Sequence, residues 1–313
     1  TIGVPGGEAN ELTSLRAHEL TKVLEKSTER LAIKIDQAVQ DKQLGSGHAL
    51  KCGLGASKIK SGTVVVLNAD MPFVQPKSIQ RLINSCHQKK AVMGLLSVKI
   101  DGPSSFGRIL RDEQGSVLAI VENKGATREQ KKITEFNMGI YVFDEKFLNA
   151  SIGKLKTNNK QKEYYLTDLV KIAVKSKKKV VAHIVSDAVE GLGVNSQVEL
   201  NQLNQIFYKR QRERFMQDGV TMIGDDIYID ADVKIAGGVR LESPCYLKGQ
   251  TSIGSGTVIE GGCVLRCAHL GENVLIKSHC YLTEAVVENL CEVGPFAHLR
   301  PGTKLASKVR IGN

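Results

Sequence analysis

Two glycines enclose a serine in the segment "QLGSGHA" at residues 43–49, immediately ahead of a predicted helix. The segment matches neither the G-x-x-x-x-G-K-[ST] phosphate loop nor the G-x-G-x-x-G dinucleotide loop. Glycines at such a position leave room for a small polar ligand to approach the backbone. The segment therefore indicates a ligand contact, and other polar residues must define the ligand.

Asp70 ends the segment "TVVVLNAD" (63–70), which has the continuous β-branched character of a buried parallel strand. Ligands of open parallel sheets bind beyond the carboxyl ends of the strands, and Mg²⁺ there takes one or two protein oxygens and substrate phosphates. Asn195, at the close of "GLGVN" (191–195), offers an amide oxygen as a second ligand. The same residues also fit a helix cap at Asp70 and a left-handed turn at Asn195.

The segment "NNKQKEYYLTD" (158–168) carries Glu163, Tyr165 and Thr167 where a loop is expected to begin a helix. Such side chains suit hydrogen bonding to a sugar or a phosphate. The alternative is that Thr167 is an ordinary first-turn residue. His48, which follows the first glycine segment, is expected to be structural.

The elements that must position these residues alternate along residues 1–195, as in an α/β domain. A mostly parallel sheet with helices on both faces is expected. The predicted strands are 63–70, 91–100, 136–144 and 180–187, with a hairpin over 106–123, and the predicted helices are 76–88 and 164–176.

A long amphipathic helix is predicted over residues 196–217, capped by Ser196 and ended by "DG" at 218–219. Leu200, Leu203 and Phe207 form its apolar face. We expect this helix to act as a rigid linker. The resulting domains are residues 1–197, a linker at 198–218 and residues 219–313.

Beyond the helix, aliphatic residues recur every six positions, with two five-residue steps. This hexapeptide period predicts a parallel β-helix whose interior holds each aliphatic residue and a smaller one four positions later. Cys245, Cys263, Cys280 and Cys291 occupy the smaller position, so they are expected to be buried apolar residues rather than zinc ligands. The aliphatic positions are Ile235, Leu241, Leu247, Ile253, Ile259, Leu265, Leu270, Ile276, Leu282, Val287, Val293, Leu299, Leu305 and Ile311.

Composition narrows the function classes. The formal charge is +10 and the pI is about 9.2, but the basic residues are dispersed and tryptophan is absent, which disfavours nucleic-acid binding. No apolar run has the length of a membrane span. The seven cysteines form no C-x-x-C pair, and the N-terminus lacks a signal-peptide pattern. A reducing, cytoplasmic location is expected.

Taken together, a series of motifs resembles one family, the bacterial bifunctional N-acetylglucosamine-1-phosphate uridylyltransferase and glucosamine-1-phosphate acetyltransferase. The resemblance runs from about residue 30 to the end of the chain. It implies a Rossmann-like nucleotidyltransferase domain followed by a left-handed β-helix that builds a homotrimer. The motifs are "QLGSGHA", "FGRILRDEQGSV", "IVENKGATREQ", "ITEFNMGIY", "NNKQKEYYLTDL", "GVNSQVELNQL" and "GPFAHLRPG".

The resemblance implies that the first domain transfers a uridylyl group from UTP to N-acetylglucosamine-1-phosphate. Pyrophosphate is released with the help of Mg²⁺, and the product is UDP-N-acetylglucosamine, a precursor of the cell envelope. The β-helix domain of the family acetylates glucosamine-1-phosphate from acetyl-CoA.

The same resemblance assigns site residues. The uracil contacts are Gln40, Gly45 and Ser46, and the Mg²⁺ ligands are Asp70 and Asn195. The remaining contacts to UDP-N-acetylglucosamine are Asn68, Gly107, Glu122, Asn137, Tyr165 and Thr167, and Arg300 in "LRPG" contacts the sugar phosphate of the acetyltransferase site.

The chain also departs from the family. The triphosphate-binding loop L-x-x-G-x-G-T-x-M and its following lysine have no counterpart, and "GVPGGEAN" (3–10) is interpreted as a turn before a helix. The family's catalytic histidine and its acetyl-CoA contacts lie beyond Asn313. We therefore expect a fragment, incomplete in both domains and inactive in acetyl transfer. Alternatives are an inactive relative with a regulatory or assembly role, and a nucleotidyltransferase for another base or sugar.

Overall fold

The chain divides into two compact units, Thr1–Gly193 and Val194–Asn313. This division lies before the expected boundary at residue 197, and the long helix falls within the second unit. The computed structural model describes residues 3–5, 38–57, 61–102 and 106–313, with the backbone alone described at 3–5.

The N-terminal segment pairs with the strand that precedes "QLGSGHA". Strand β1 (Gly3–Pro5) runs parallel to β2 (Ala38–Gln40), with Val4 opposite Val39. The interpretation of "GVPGGEAN" as a turn is therefore wrong for its first residues, because their backbone is extended by this pairing. The helix expected after it lies outside the described residues.

A larger mixed sheet forms the centre of the first unit. Its strands follow the order β6-β5-β7-β4-β8, and β3 also pairs with β7. Only β4 and β8 pair in parallel among the described neighbours, so the expected mostly parallel arrangement is wrong. The reason is that β7 returns antiparallel between β3 and β4. These strands are β3 (Thr63–Val66), β4 (Met93–Lys99), β5 (Arg108–Arg111), β6 (Val117–Val121), β7 (Glu135–Asp144) and β8 (Val180–Ile184).

Helices cover both faces of this sheet, as expected. One core joins Leu95 and Phe143 of the sheet to Leu148 and Leu169, and the other joins Leu96 to the helix that carries Leu82 and Cys86. The helices are α1 (Ser46–Ala56), α2 (Pro76–Lys89), α3 (Glu145–Ile152) and α4 (Asp168–Lys175), with 3₁₀ turns at Asn123–Gly125, Gln130–Lys132 and Ala188–Gly191.

Strand β3 and helix α4 are each four residues or more shorter than expected. Strand β3 stops at Val66, so Asp70 lies in a turn beyond the strand rather than at its end. Helix α4 begins at Asp168 rather than at residue 164. The backbone of Tyr164 is occupied elsewhere, since its N–H donates to Leu44 O at 2.8 Å and its carbonyl accepts from Gly47 N–H at 2.8 Å.

The second unit begins with helix α5 (Gln197–Gln217). Ser196 Oγ accepts from the N–H of Glu199 at 3.2 Å, which confirms the predicted cap. The buried residues of the helix are Leu203, Gln211 and Phe215, whereas Leu200 is exposed. Phe215 belongs to the core of the solenoid that follows, so the end of the helix packs on this solenoid.

Residues 221–311 form a parallel β-solenoid of about five turns, consistent with the expected left-handed β-helix. Its sixteen strands, β9 to β24 in chain order, build three sheets. The first contains Ile227–Ile229, Cys245–Lys248, Cys263–Arg266, Tyr281–Thr283 and His298–Leu299. The second contains Lys234–Ile235, Ser252–Ile253, His269–Leu270, Val286–Val287 and Lys304–Leu305. The third contains Thr221–Ile223, Arg240–Glu242, Val258–Ile259, Leu275–Ile276, Glu292–Val293 and Arg310–Ile311.

The interior of the solenoid confirms the hexapeptide pattern. Leu241, Leu247 and Leu265 are fully buried in one continuous core. The four cysteines at the smaller position are buried thiols, and burial raises the pKa of Cys263 to about 12. The described residues contain no group of three or more His, Cys, Asp or Glu side chains arranged to hold a metal ion. None of the described helices has the length and apolar character needed to cross a membrane.

Candidate functional site

The turn at the N-terminus of α1 is fixed by backbone contacts with residues 163–166. Gly45 has φ of +97°, and a Cβ atom there would lie 2.9 Å from both Glu163 Cβ and Tyr164 O. Ser46 Oγ accepts from the N–H of Leu166 at 3.2 Å. Glycine is therefore required at position 45 both by the backbone angle and by the approach of the neighbouring segment.

Gln40 closes this turn from the side of β2. Its side chain is buried, and Nε2 donates to Gly45 O at 3.3 Å and lies 3.0 Å from His48 Nδ1. The His48 ring stacks with Tyr164 at a centroid distance of 6.3 Å. These contacts agree with a structural role for His48. Gln40, Gly45 and Ser46, predicted as a group, lie together.

A second group forms around Glu122, which follows strand β6. Thr167 Oγ1 donates to Glu122 Oε1 at 3.1 Å. A Cβ atom on Gly107 would lie 2.8 Å from Ile120 Cγ2 and 3.4 Å from both carboxylate oxygens of Glu122, so Gly107 lies directly beside this carboxylate. Thr167 is one residue from Leu166, and segment 163–167 therefore joins this group to the turn at Gly45.

Asn137 extends the second group along β7. Its N–H donates to Gly107 O at 2.8 Å, its Nδ2 donates to Tyr141 Oη at 2.7 Å, and its Oδ1 accepts from Gly139 N–H at 3.2 Å. Gly139 has φ of +73°, and a Cβ atom there would lie 2.3 Å from Asn68 Nδ2. Asn68 thus lies directly beside the Asn137 segment.

The electrostatics of this group favour uncharged forms. Burial raises the pKa of Glu122 above its ordinary value, and the nearby negative charge of Asp168 adds to this, against the hydrogen bond from Thr167 and the charge of Lys171. Burial and the carboxylate of Glu122 also raise the pKa of Tyr141. The pKa values of both the Glu122 carboxyl and the Tyr141 phenol are therefore raised in this group.

Tyr165 lies at the edge of this group. Its hydroxyl donates to Gln161 Oε1. The pKa of Tyr165 is raised by burial first and then by the negative charges of Glu163, Glu122 and Asp168. Tyr165 thus lies within electrostatic range of the Glu122 carboxylate.

Asp70 lies beyond β3 with an exposed side chain. The loop at Gly193 approaches it, since a Cβ atom on Gly193 would lie 3.7 Å from Asp70 O and 3.9 Å from Asp70 Oδ2. This loop follows Glu190, a fully buried carboxylate that accepts from Gln75 N–H and Ser78 Oγ, each at 3.0 Å. Glu190 thereby fixes the loop relative to the start of α2.

The two remaining predicted residues lie in the second unit. Asn195 is exposed, and its N–H donates to Glu199 Oε2 at 2.7 Å at the start of α5. Arg300 is exposed on the solenoid, and its carbonyl accepts from Thr303 Oγ1 at 2.7 Å. The pairing of Asn195 with Asp70 as metal ligands, and the sugar-phosphate role of Arg300, stay predictions.

Gly139 and Tyr141 belong to the site but were not among the predicted residues. A glycine inside a β-branched strand marks a close approach by another group, so "NMGIY" contained a signal for Gly139. Tyr141 had none, because its role depends on the conformation of Asn137. The structure otherwise brings the first-unit residues into one connected set, with Asp70 on its loop beyond β3.

Comparison with known proteins places the chain in a family. The family model for nucleotidyl transferases matches residues 11–197. The chain is also similar to proteins named bifunctional protein GlmU. That of Trichlorobacter lovleyi is 38% identical over 306 residues, which are 97% of this chain and 66% of the relative. Those of Geotalea uraniireducens and Streptococcus suis are 36% and 39% identical over 277 residues, which are 88% of this chain and 61% and 60% of the relatives. The chain thus spans less than two thirds of the length of these curated relatives.

Proposed function

The chain belongs to the nucleotidyl transferase family, and from that premise we propose that it transfers the uridylyl group of UTP to N-acetylglucosamine-1-phosphate. Sugar nucleotidyl transfer as a class is supported by the family match and by the GlmU relatives, whose expected resemblance is confirmed. The observation that carries the substrate proposal is the connected polar set that runs from Gln40 through segment 163–167 to Glu122 and Asn137.

The base is proposed to lie against the turn at Gly45. The turn is held in a fixed conformation, because segment 163–164 fills the space beside Gly45 and Gln40 donates to Gly45 O. Backbone groups of fixed orientation distinguish bases by the positions of their donors and acceptors. Selection of uracil is assigned to this turn.

The sugar is proposed to lie between Glu122 and Asn137. Thr167 uses one carboxylate oxygen of Glu122, so the other, Oε2, is available to accept from a sugar hydroxyl or an acetamido N–H. Gly107 leaves the space in front of that carboxylate open. Tyr165 completes the pocket on the side of α4. A half-buried carboxyl and a buried amide favour a neutral, polar sugar ring over an apolar ligand.

Asp70 and Asn195 are proposed to bind Mg²⁺. An exposed carboxylate beyond a sheet strand and an exposed amide are oxygen donors of the kind that Mg²⁺ accepts together with substrate phosphates. Bound there, Mg²⁺ would neutralise phosphate charge.

In the proposed reaction, a phosphate oxygen of the sugar 1-phosphate attacks the α-phosphorus of UTP. A new P–O bond forms, the bond to the bridging oxygen breaks, and pyrophosphate leaves with that electron pair. The side chains described above bind and align the two substrates, and no covalent intermediate with the protein is needed. Alignment of two bound reactants can itself supply a large part of the rate enhancement.

For the longer parent we propose acetyl transfer from acetyl-CoA to glucosamine-1-phosphate, with Arg300 contacting the sugar phosphate. The turn after Arg300 is held by Thr303, whose N–H and hydroxyl both donate to Arg300 O, and the guanidinium is left at the surface. The solenoid also fits assembly into a homotrimer.

The substrate proposal is tested by product analysis with competing substrates in the presence of Mg²⁺. The chain is incubated with UTP, dTTP and ATP together, and with N-acetylglucosamine-1-phosphate and glucose-1-phosphate together. We expect UDP-N-acetylglucosamine as the dominant product. A dominant product with another base or sugar would contradict the substrate proposal and leave the family assignment standing. Absence of any sugar nucleotide would contradict transfer activity in this chain.

A further inference from the structure

The amide of Asn137 is held at both ends by neighbours on its own strand. Oδ1 accepts from Gly139 N–H at 3.2 Å, and Nδ2 donates to the hydroxyl of Tyr141 at 2.7 Å. Asn137 and Tyr141 are four residues apart, so they lie on the same face of β7. The positive φ of Gly139 turns its N–H toward the asparagine.

These contacts determine the orientation of the Asn137 amide, that is, the positions of Oδ1 and Nδ2. A backbone N–H only donates, so the atom that faces Gly139 must be the oxygen. Nδ2 therefore faces Tyr141, whose hydroxyl acts as the acceptor. One amide hydrogen of Nδ2 is used in this bond, and no other described residue takes the second one.

We propose that Tyr141 is a positioning residue that fixes Asn137 as a hydrogen-bond donor, so that the bound sugar meets Asn137 with an acceptor oxygen. This inference rests on the proposed function, because it places the sugar in this pocket. Glu122 supplies an acceptor on the other side of the pocket. The two residues together select a sugar that presents a donor and an acceptor at adjacent positions.

The hydroxyl of Tyr141 can be removed without changing the packing of its ring. The residue is 3% exposed, and its ring lies 5.8 Å from that of Phe143. Phenylalanine at position 141 would keep this packing and remove only the oxygen. Without that oxygen, Nδ2 of Asn137 loses its partner, and the amide can rotate to another orientation.

The first measurement is calorimetric binding of UDP-N-acetylglucosamine and of UDP to the full chain. Tyr141→Phe is expected to weaken UDP-N-acetylglucosamine binding about tenfold, which corresponds to the loss of one hydrogen bond. UDP binding should be unchanged. Tyr246→Phe, which removes a phenol oxygen from the solenoid, serves as the control. In an Asn137→Ala background, Tyr141→Phe should have no further effect, because a positioning residue acts through its partner.

Unchanged binding in Tyr141→Phe, an equal loss for UDP, or additive effects in the double variant would each overturn the proposal. A second measurement needs no ligand. The side-chain NH₂ signals of Asn137, assigned by their loss in Asn137→Asp, should show one slowly exchanging proton that becomes fast in Tyr141→Phe. Equal exchange of both protons in the unmodified chain would overturn the donor orientation. If the unmodified chain binds no UDP-N-acetylglucosamine, the proposed function fails, and the exchange measurement still decides the orientation.

Discussion

At the scale of single residues, the Glu122 carboxyl is the most informative group. Burial raises its pKa, and the hydroxyl of Thr167 opposes that rise through one hydrogen bond. Because the folded-state pKa lies above the unfolded value, the stabilising contribution of Glu122 is complete below its unfolded pKa. It is lost as the pH rises through the folded pKa.

Thr167→Val should therefore raise the pKa of Glu122 further, since the carboxylate loses a donor. Titration of the ¹³C-labelled Glu122 carboxyl by NMR measures this directly. The loss of unfolding free energy in Thr167→Val should also be larger above the folded pKa of Glu122 than below its unfolded pKa. Thr63→Val, at the start of β3, is the control and should not change the pKa of Glu122. An unchanged or lowered pKa in Thr167→Val would contradict this account of the pocket.

At the scale of elements, the turn at the start of α1 depends on its glycine. In Gly45→Ala, the new methyl group would meet Tyr164 O and Glu163 Cβ, and the backbone angle would be strained. We expect a loss of about 1–3 kcal/mol of unfolding free energy and weaker UTP binding. Gly55→Ala in the same helix meets no atom within 4 Å and should instead stabilise the chain by about 0.5–1 kcal/mol. Denaturant titration measures the unfolding free energy of both variants, and calorimetry measures their UTP binding. Equal changes in the two variants would contradict the role of Gly45.

Three strands of the first unit are tied by one buried carboxylate. Glu135 of β7 accepts from Ser97 of β4 at 2.7 Å and from Arg111 of β5 at 2.6 and 2.8 Å. Burial alone would raise the pKa of Glu135, but the hydrogen bonds from Arg111 and Ser97 outweigh it and lower this pKa. The stabilisation is present above the unfolded pKa and is lost as the pH falls through the lowered folded value.

Arg111→Met should cost about 3 kcal/mol of unfolding free energy at pH 7, because the Glu135 charge stays buried without its cation. The cost should shrink in acid, where the glutamate takes up a proton. Lys132→Met, which breaks an exposed pair with Glu129, should cost less than about 1 kcal/mol. Denaturant titrations across pH measure both. A loss that does not change with pH would point to packing instead.

The sequence predicted most of these elements but not how they pair. Hydrophobic runs located β3, β4 and β7, because buried strands have a continuous apolar pattern. The antiparallel course of β7 depends on contacts distant in sequence, which no local pattern records. The late start of α4 has a similar cause, since Tyr164 uses its backbone groups on residues 44 and 47. In the site, the glycine and carboxylate positions were predictable, whereas Tyr141 was not.

At the scale of the whole molecule, the first unit has a core on each face of its sheet and the second unit has one, and the solenoid core is the one that sequence predicts best. Six-residue spacing directs the aliphatic positions to the interior of the solenoid. Leu265 lies fully buried between its neighbours Leu247 and Leu282 in adjacent coils. The period holds for the whole solenoid because each coil repeats the same geometry.

Leu265→Ala should therefore cost about 2–5 kcal/mol in the stability of the second unit. Hydrogen exchange should show lost protection across residues 221–311, with amides of β4 and β7 unchanged. Val264→Ala, at the adjacent outward-facing position, should have a small effect. An equal loss of protection in β4 would contradict the independence of the solenoid core from the cores of the first unit.

We propose that the first unit holds a sugar nucleotidyl transfer site. The most direct test of this proposal is pyrophosphate release from UTP and N-acetylglucosamine-1-phosphate with Mg²⁺, comparing the chain with Asp70→Ala. Asp112→Ala, in the hairpin between β5 and β6, is the control. We expect release by the unmodified chain and by the control, and a loss on the order of 10² in Asp70→Ala. Equal release by all three proteins, or release by none, would contradict it.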